Sequence, residues 1–401
     1  MEYHLKALEK FACLSKDCPD SCCQGSWLIE IDENTIQKWQ AMPDTSAREE
    51  LFASVRTLDS GVRTFFRENG KCMHLSQQGL CTIQLKYGES ALPEVCREYP
   101  RLTRWEGEKR LSSAKLSCPE IARLVLSEES GGEPFDWAGA HSAKLTGDFQ
   151  PITSEQFNNQ FDLLVADILD QKKTWLTNRL YYIVSILCEL QLCNNDQSAK
   201  ISILKSVTKN IKADLYQVNL ALKKAKPVSD PRIVASVWVS VFNLCMQSDY
   251  FRKQDWVTNT ETYAYMDSVN KANFANESLE ALNRKIKEIL VVARPVMRQK
   301  LTGILERYLK VSFRNKGFPW LPVNNDHAAT FLNAIVPLSM INLLCWIRYE
   351  NCGNLDCDFL VDVIWKIERD IGQSDIVYKH LFANPHMLDL SEYKEFFTNL
   401  C

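Results

Sequence analysis

Ala328–Ile347 reads AATFLNAIVPLSMINLLCWI, twenty consecutive residues without an acidic or basic side chain. Twenty helical residues rise about 30 Å, the thickness of a bilayer's hydrocarbon core. The stretch therefore belongs either to a membrane or to the centre of a helical bundle, and that choice decides the fold. Asn333, Pro337, Ser339 and Asn342 interrupt it, and its flanks lack the marked Lys/Arg bias of a spanning helix. We read it as the buried core helix of a soluble bundle. No transmembrane span is expected, and peripheral membrane contact stays open.

Outward from that stretch the same helical spacing recurs. Phe157, Phe161, Leu164, Val165 and Ile168 share one face of a helix that Ser154 can cap. A second helix is expected over about Thr174–Cys193. A third starts at Asp230-Pro231, a capping residue followed by proline in the first helical position, and runs through Val234, Trp238, Val241 and Leu244. Asn276–Lys310 has helical spacing, with Pro295 as the expected kink or break. Cys357–Ile371 and Ser391–Leu400 complete the series. Glycine is scarce, 14 of 401 residues, about half the usual ~7%, which leaves few tight turns and few phosphate-cradling loops. The expected fold class is mainly α: an irregular cysteine-rich metal-binding region (1–126), a linker or long loop (127–152) and a multi-helix domain (153–401).

Composition narrows the function classes. With 46% hydrophobic and 24% charged residues the chain has a core to bury and is no disordered tail. Its 47 basic and 50 acidic residues leave a net charge of −3, so no nucleic-acid partner is expected. Met1–Leu14 carries four charges and no apolar run of the signal-peptide kind, and the protein is expected to be cytoplasmic.

The cysteines point to chemistry. Eight of the fifteen fall in the first 118 residues: Cys13, Cys18, Cys22, Cys23, Cys72, Cys81, Cys96 and Cys118. Without a secretory signal such a density favours metal over disulfides. Zinc usually announces itself with paired Cys-x2-4-Cys knuckles, and only Cys18-x3-Cys22 has that spacing. The wide separations of the others, and Cys118-Pro119, fit a cluster gathered from several loops equally well. Adjacent cysteines are expected to point apart, so Cys22 and Cys23 should not chelate one ion; two four-thiolate sites are arithmetically open. Arg97, Arg101 and Arg104 stand close in sequence and would offset a negatively charged cluster.

The segments FACLSKDCPDSCCQGSW (Phe11–Trp27) and CMHLSQQGLCTIQLKYGESALPEVCREYPR (Cys72–Arg101) resemble the flagellin lysine-N-methylase family of enterobacterial type. Their cysteine pattern is also similar to a broader CxxCxxCC family described as zinc- or iron-chelating. The resemblance implies transfer of methyl groups from S-adenosylmethionine to ε-amino groups of flagellin lysines, with a 4Fe-4S cluster associated with the activity. The residues themselves add two constraints. No Gly-x-Gly pair occurs anywhere, which argues against the usual glycine-rich cofactor loop. The Cys-x3-Cys-x2-Cys triplet of radical enzymes fails at Gly25. His74, Glu98 and Tyr99 are the catalytic candidates, and Arg97 and Arg101 the candidates for holding cofactor. The alternative is a zinc-stabilised binding or adaptor protein without catalysis.

Overall fold

The computed structural model describes residues 2–24, 28–68, 70–106, 109–127, 133–138, 154–193, 196–224, 231–272, 275–319 and 327–372. The front half runs β1 (Glu2–Leu5), α1 (Ala7–Lys10), α2 (Glu33–Gln40), α3 (Thr45–Ala53), β2 (Val55–Thr57), β3 (Arg63–Phe65), β4 (Arg67–Glu68), β5 (Lys71–Cys72), α4 (Thr82–Tyr87), α5 (Glu94–Glu98), β6 (Arg101–Glu106), β7 (Lys109–Ala114), α6 (Pro119–Leu126) and β8 (Phe135–Ala138). The helical body follows: α7 (Ser154–Leu169), α8 (Leu176–Leu192), α9 (Gln197–Lys224), α10 (Pro231–Cys245), α11 (Asp249–Arg252), α12 (Asp255–Thr258), α13 (Glu261–Lys271), α14 (Asn276–Lys300), α15 (Thr302–Lys316), α16 (His327–Cys352) and α17 (Cys357–Ile367). The mainly α expectation holds.

Helix α16 carries the stretch that decided the reading. It is long and apolar enough to cross a membrane, and 94% of its most apolar window is buried inside the protein. From Ala328 to Ile347 every residue but Asn342 is buried. Ser339 avoids an unpaired hydroxyl by donating to the Ile335 carbonyl one turn back, at 3.0 Å. Trp346 packs at a tilt against Trp238 of α10 with ring centroids 4.4 Å apart, so the run is the packing axis of the bundle.

Two expectations change in detail. The break in the long helix comes at Leu301, between α14 and α15, and not at Pro295, which sits inside α14. Proline lacks only its own amide, and an exposed position lets the helix absorb that loss. Phe135–Ala138, within the stretch read as linker, is an edge strand: β8 pairs antiparallel with β1, Leu5 opposite Phe135. The buried Phe135 side chain decides the strand. Helices α9 and α13 were not anticipated from the sequence; the core stripe of α9 is narrow, Leu204, Val207, Ile211 and Leu215. Ser391–Leu400 lies outside the described residues.

The mixed sheet β6-β7-β1-β8 does not stand apart from the helices. Tyr3, Leu5 and Leu111 on its inner face, with Ala114 at the end of β7, share one hydrophobic core with α6 to α17. Asn315 at the end of α15 receives a hydrogen bond from Ser113 (2.7 Å) and donates to the Ala114 carbonyl (2.8 Å). Arg104, expected near the thiols, instead donates to the Arg314 and Asn315 carbonyls at the C-terminus of α15, where four backbone acceptors lack helical partners. A second, smaller core gathers Ile29, Ile36, Trp39, Leu51, Phe65, Ile83 and Leu92 around the Trp39 indole, which donates to the Ala91 carbonyl at 2.8 Å.

Candidate metal centre

Of the eight front cysteines, Cys23, Cys72, Cys81 and Cys96 lie on the smaller core and Cys118 in the main core. Turn chemistry places them. Asn69-Gly70 and Gln78-Gly79 read as turns in the sequence, and Gly70 and Gly79 both take φ near +76°, which a side chain would resist. The first glycine closes the β4–β5 hairpin and delivers Cys72; the second closes a loop in which Leu75 pairs with Cys81. The Cys72 amide donates to the Cys23 carbonyl at 2.9 Å. Cys72 is buried in the smaller core, and Cys23, Cys81 and Cys96 pack against it. Cys118, which precedes Pro119 at the start of α6, is buried in the main core instead. Cys18 is half-buried, and Cys13 and Cys22 are exposed.

Many of these sulfurs have an amide of the following turn aimed at them. The Ser15 N–H donates to Cys13 Sγ at 3.4 Å. Burial raises the thiols of Cys18, Cys72, Cys81 and Cys118, the last two-core pair Cys72 and Cys118 to about 11 each, while amides of Asp20, His74, Ile83 with Gln84, and Glu120 with Ile121 respectively draw them back. Hydrogen bonds to sulfur favour the thiolate, the form that binds metal. Burial and the neighbouring thiols drive Cys96 far up. Buried, mutually repelling thiols that still receive amide donors are a donor set suited to a thiophilic cationic centre. Their gathering is loose: among the described residues, no three His, Cys, Asp or Glu side chains stand close enough to hold a single ion.

Cys22 and Cys23 depart from expectation. Their sulfurs hydrogen-bond each other, and that bond raises Cys22 and brings Cys23 down to about 7. The reason is local: Gln24 N–H closes a turn onto the Ser21 carbonyl at 2.8 Å, and side chains at the two central turn positions can meet as strand neighbours cannot.

The arginines also differ. Arg97 pairs with the exposed Glu98 at 3.3 Å, and Arg101 lies over the Phe11 ring at 5.4 Å. The guanidiniums that reach the thiol segments are Arg67 and Arg369, neither named by the sequence. Arg67 donates to the Cys23 and Gly70 carbonyls at 3.2 and 2.9 Å. Arg369, just past α17, donates to the carbonyls of Asp20 (3.0 Å), Ser21 (3.2 Å) and Gln24 and pairs with the Asp20 carboxylate. Three converging carbonyls on one guanidinium clamp the Cys18–Cys23 loop to the helical body. An arginine 345 or more residues away carries no sequence signal of that role.

Of the catalytic candidates, His74 is buried, with Nδ1 3.2 Å from the Thr82 hydroxyl and a buried Nε2 without a partner; burial lowers its pKa. Tyr99 is bonded to the Ser117 hydroxyl at 3.0 Å, and burial raises its phenol strongly. Glu98 is spent on Arg97.

A cavity of about 170 Å³ opens elsewhere, between β8, α7 and α15. Lys310 there is bound by Glu133 and by Asp170 at 2.7 Å. Burial alone would lower its pKa, but the two carboxylates raise it. Arg314 and Asp162 form a buried pair at 2.6 Å, with the guanidinium 4.6 Å over the Tyr3 ring. Lys310 and Arg314 stand four apart on one side of α15, and that spacing is the signal that could have found them.

No family model and no solved structure matches the chain. Curated proteins do. A lysine-N-methylase of Salmonella choleraesuis is 22% identical over 387 residues, 92% of this chain and 91% of that protein. A lysine-N-methylase of Salmonella typhimurium is 22% identical over 256 residues; the match takes in 61% of this chain and only 59% of that relative's length. The flagellar biosynthetic protein FliU of Salmonella muenchen is 28% identical over 131 residues, 29% of this chain and 72% of that protein. The resemblance read from the cysteine segments thus holds at the level of the lysine-N-methylases.

Proposed function

We propose that this chain, similar over nearly its whole length to lysine-N-methylases, is itself a protein lysine methylase. Its methyl donor is S-adenosylmethionine, its acceptors are flagellin lysines, and its front cysteines hold an iron–sulfur cluster. The observation that carries the reading is the similarity over 92% of the chain; the flagellar name of a third relative supports the acceptor. Cys18, Cys72, Cys81 and Cys118, each with a backbone amide turned to its sulfur, and Cys23 and Cys96 on the smaller core support the metal. A cluster bound there would supply redox or Lewis-acid chemistry.

The chain's own task is to make a lysine reactive. At pH 7 a lysine of pKa near 10.4 is neutral in roughly one molecule of 2,500, a cost of about 4.6 kcal/mol. Both reactants, an ammonium and a sulfonium, are cations. The carboxylates of the cavity, Glu133, Asp170 and Asp162, already pair with Lys310 and Arg314, so a cationic reactant there would have to displace those partners.

The test is mass spectrometry of flagellin after incubation with anaerobically purified enzyme and S-adenosylmethionine, counting methyl groups on lysine. Methylation by cluster-loaded protein and its loss after oxidative bleaching is the expected result. Full methylation by iron-free protein removes the cluster's role. Colourless zinc-loaded protein that binds partners without methylating turns the reading to an adaptor.

A further inference from the structure

We propose that Lys366 is a methyl acceptor of the chain itself, its ammonium held between two aromatic rings beside the Cys18–Cys23 loop and methylated there within the same molecule. The inference rests on the methylase reading above and adds a modification site to it.

Three elements build the site. Lys366 stands in the last turn of α17. Its Nζ lies 3.9 Å from the ring centroid of Trp365 and 3.9 Å from that of Tyr250 in α11. The buried Trp365 indole is fixed by its N–H, which donates to Asp362 at 3.0 Å. Phe251 braces the Tyr250 ring edge-on, with centroids 5.1 Å apart. Asp20, inside the thiol loop, stands 3.7 Å from Nζ and also pairs with Arg369. The Lys366 side chain is 16% exposed, so one edge of the ammonium stays open.

The other enclosed lysines are held differently. Lys285 lies between Glu261 and Glu350, and Lys310 between Glu133 and Asp170. Paired carboxylates raise both, against their burial, and keep the proton on nitrogen. At Lys366 rings take the place of a second close carboxylate, and burial outweighs Asp20, Asp370 and Asp362 and lowers the pKa. Burial lowers Lys115 as well, but among the described residues no ring faces that ammonium. An acceptor must shed a proton, and its product must be tolerated where it forms. A methylated ammonium keeps its charge and gives up N–H donors, a change that aromatic faces welcome and a carboxylate pair does not.

In the step itself the ammonium releases a proton to solvent through its open edge. The Nζ lone pair forms the N–C bond to the methyl of a sulfonium donor as the S–C bond breaks. The electron pair of that bond stays on sulfur, leaving a neutral thioether. Positive charge passes from sulfur to the lysine nitrogen, which both rings face. A side chain enclosed in this way does not reach into a second molecule, so the transfer runs within one chain.

The experiment incubates anaerobically purified, cluster-loaded full-length protein with isotopically labelled S-adenosylmethionine, with and without flagellin, and locates the label by peptide mass spectrometry. Label on Lys366 is expected without flagellin, at a rate per chain that dilution of the protein leaves unchanged. Methyl already on Lys366 before donor is added, and absent from chain produced without iron, is the same result. Tyr250→Leu should lower the labelled fraction several-fold, and Lys366→Arg, which keeps a cation over the rings, should carry none at that position. Equal labelling in Tyr250→Leu overturns the role of the rings, and a rate proportional to protein concentration overturns transfer within one chain. Unmodified Lys366 in protein that methylates flagellin overturns the inference and leaves the methylase reading standing. No methyl on either protein overturns the reading beneath it.

Discussion

The lobe of residues 29–96 and the helical body are built on opposite terms. Ten buried apolar residues, Cys72 among them, make the lobe's core. The body has long helices packed about α16, with Trp238, Tyr308, Phe331 and Trp346 buried together with the inner face of the sheet. A unit of about 70 residues buries too little apolar surface to be secure and is usually stapled by metal or disulfide. Four of the eight front thiols lie on that lobe's core. The body needs no such aid. The contrast teaches that the cysteines occur where the hydrophobic supply runs short, and that the body supports them from outside through Arg369.

The largest expected effect comes from cutting the two apart. Residues 1–126 expressed alone should show no cooperative thermal transition, because Tyr3, Leu111 and Ile121 would lose the helices that bury them. A sharp calorimetric transition in that fragment would break the comparison. Next come two single substitutions of similar size and different reach. Arg314→Met leaves Asp162 buried and unpaired, and should cost about 3–5 kcal/mol. Trp39→Ala should cost about 3–5 kcal/mol by emptying the lobe's centre. Amide exchange should rise across the body and sheet in the first and stay within residues 29–96 in the second.

Arg369→Gln is smaller. Loss of charged hydrogen bonds to the Cys18–Cys23 loop should cost about 1.5–3 kcal/mol and reduce bound metal, with α17 and α16 still protected in exchange. Metal content equal to the native value would show that the loop holds its shape unaided. The smallest effect is at Lys310. Its pKa is raised in the folded chain, so the unfolded state releases its proton first as pH rises. The stability it adds is present below the ordinary lysine value and is lost as pH climbs through the folded one. The urea-midpoint difference between native chain and Lys310→Met should be constant from pH 8 to about 10 and shrink above about 10.5.

Parts of this were legible. Pro231 at the first turn of α10, the apolar face of α7 and the burial of α16 follow local rules of spacing and shape. Gly70 and Gly79 announced the turns that deliver Cys72 and Cys81. Arg104 was misassigned because nearness in sequence to CREYPR says nothing of which strand face it takes. In β6 it turns to the α15 carbonyls. Lys310 and Arg314 drew no reading from the sequence, and each is paired with carboxylates that line a cavity.

By itself the sequence determined the helical class, the thiol-dense front and the chain's resemblance to lysine-N-methylases. Each rests on composition, on periodicities of a few residues or on motifs read in line. Only the tertiary structure decided that the sheet joins the helical core, that Phe135–Ala138 is a strand, and that Arg67 and Arg369 attend the thiols. It also decided which cysteines face which core. The reason is distance along the chain. A guanidinium recognises carbonyls by where they converge in space, and residues 20–24 meet Arg369 only after α6, α15 and α17 have packed.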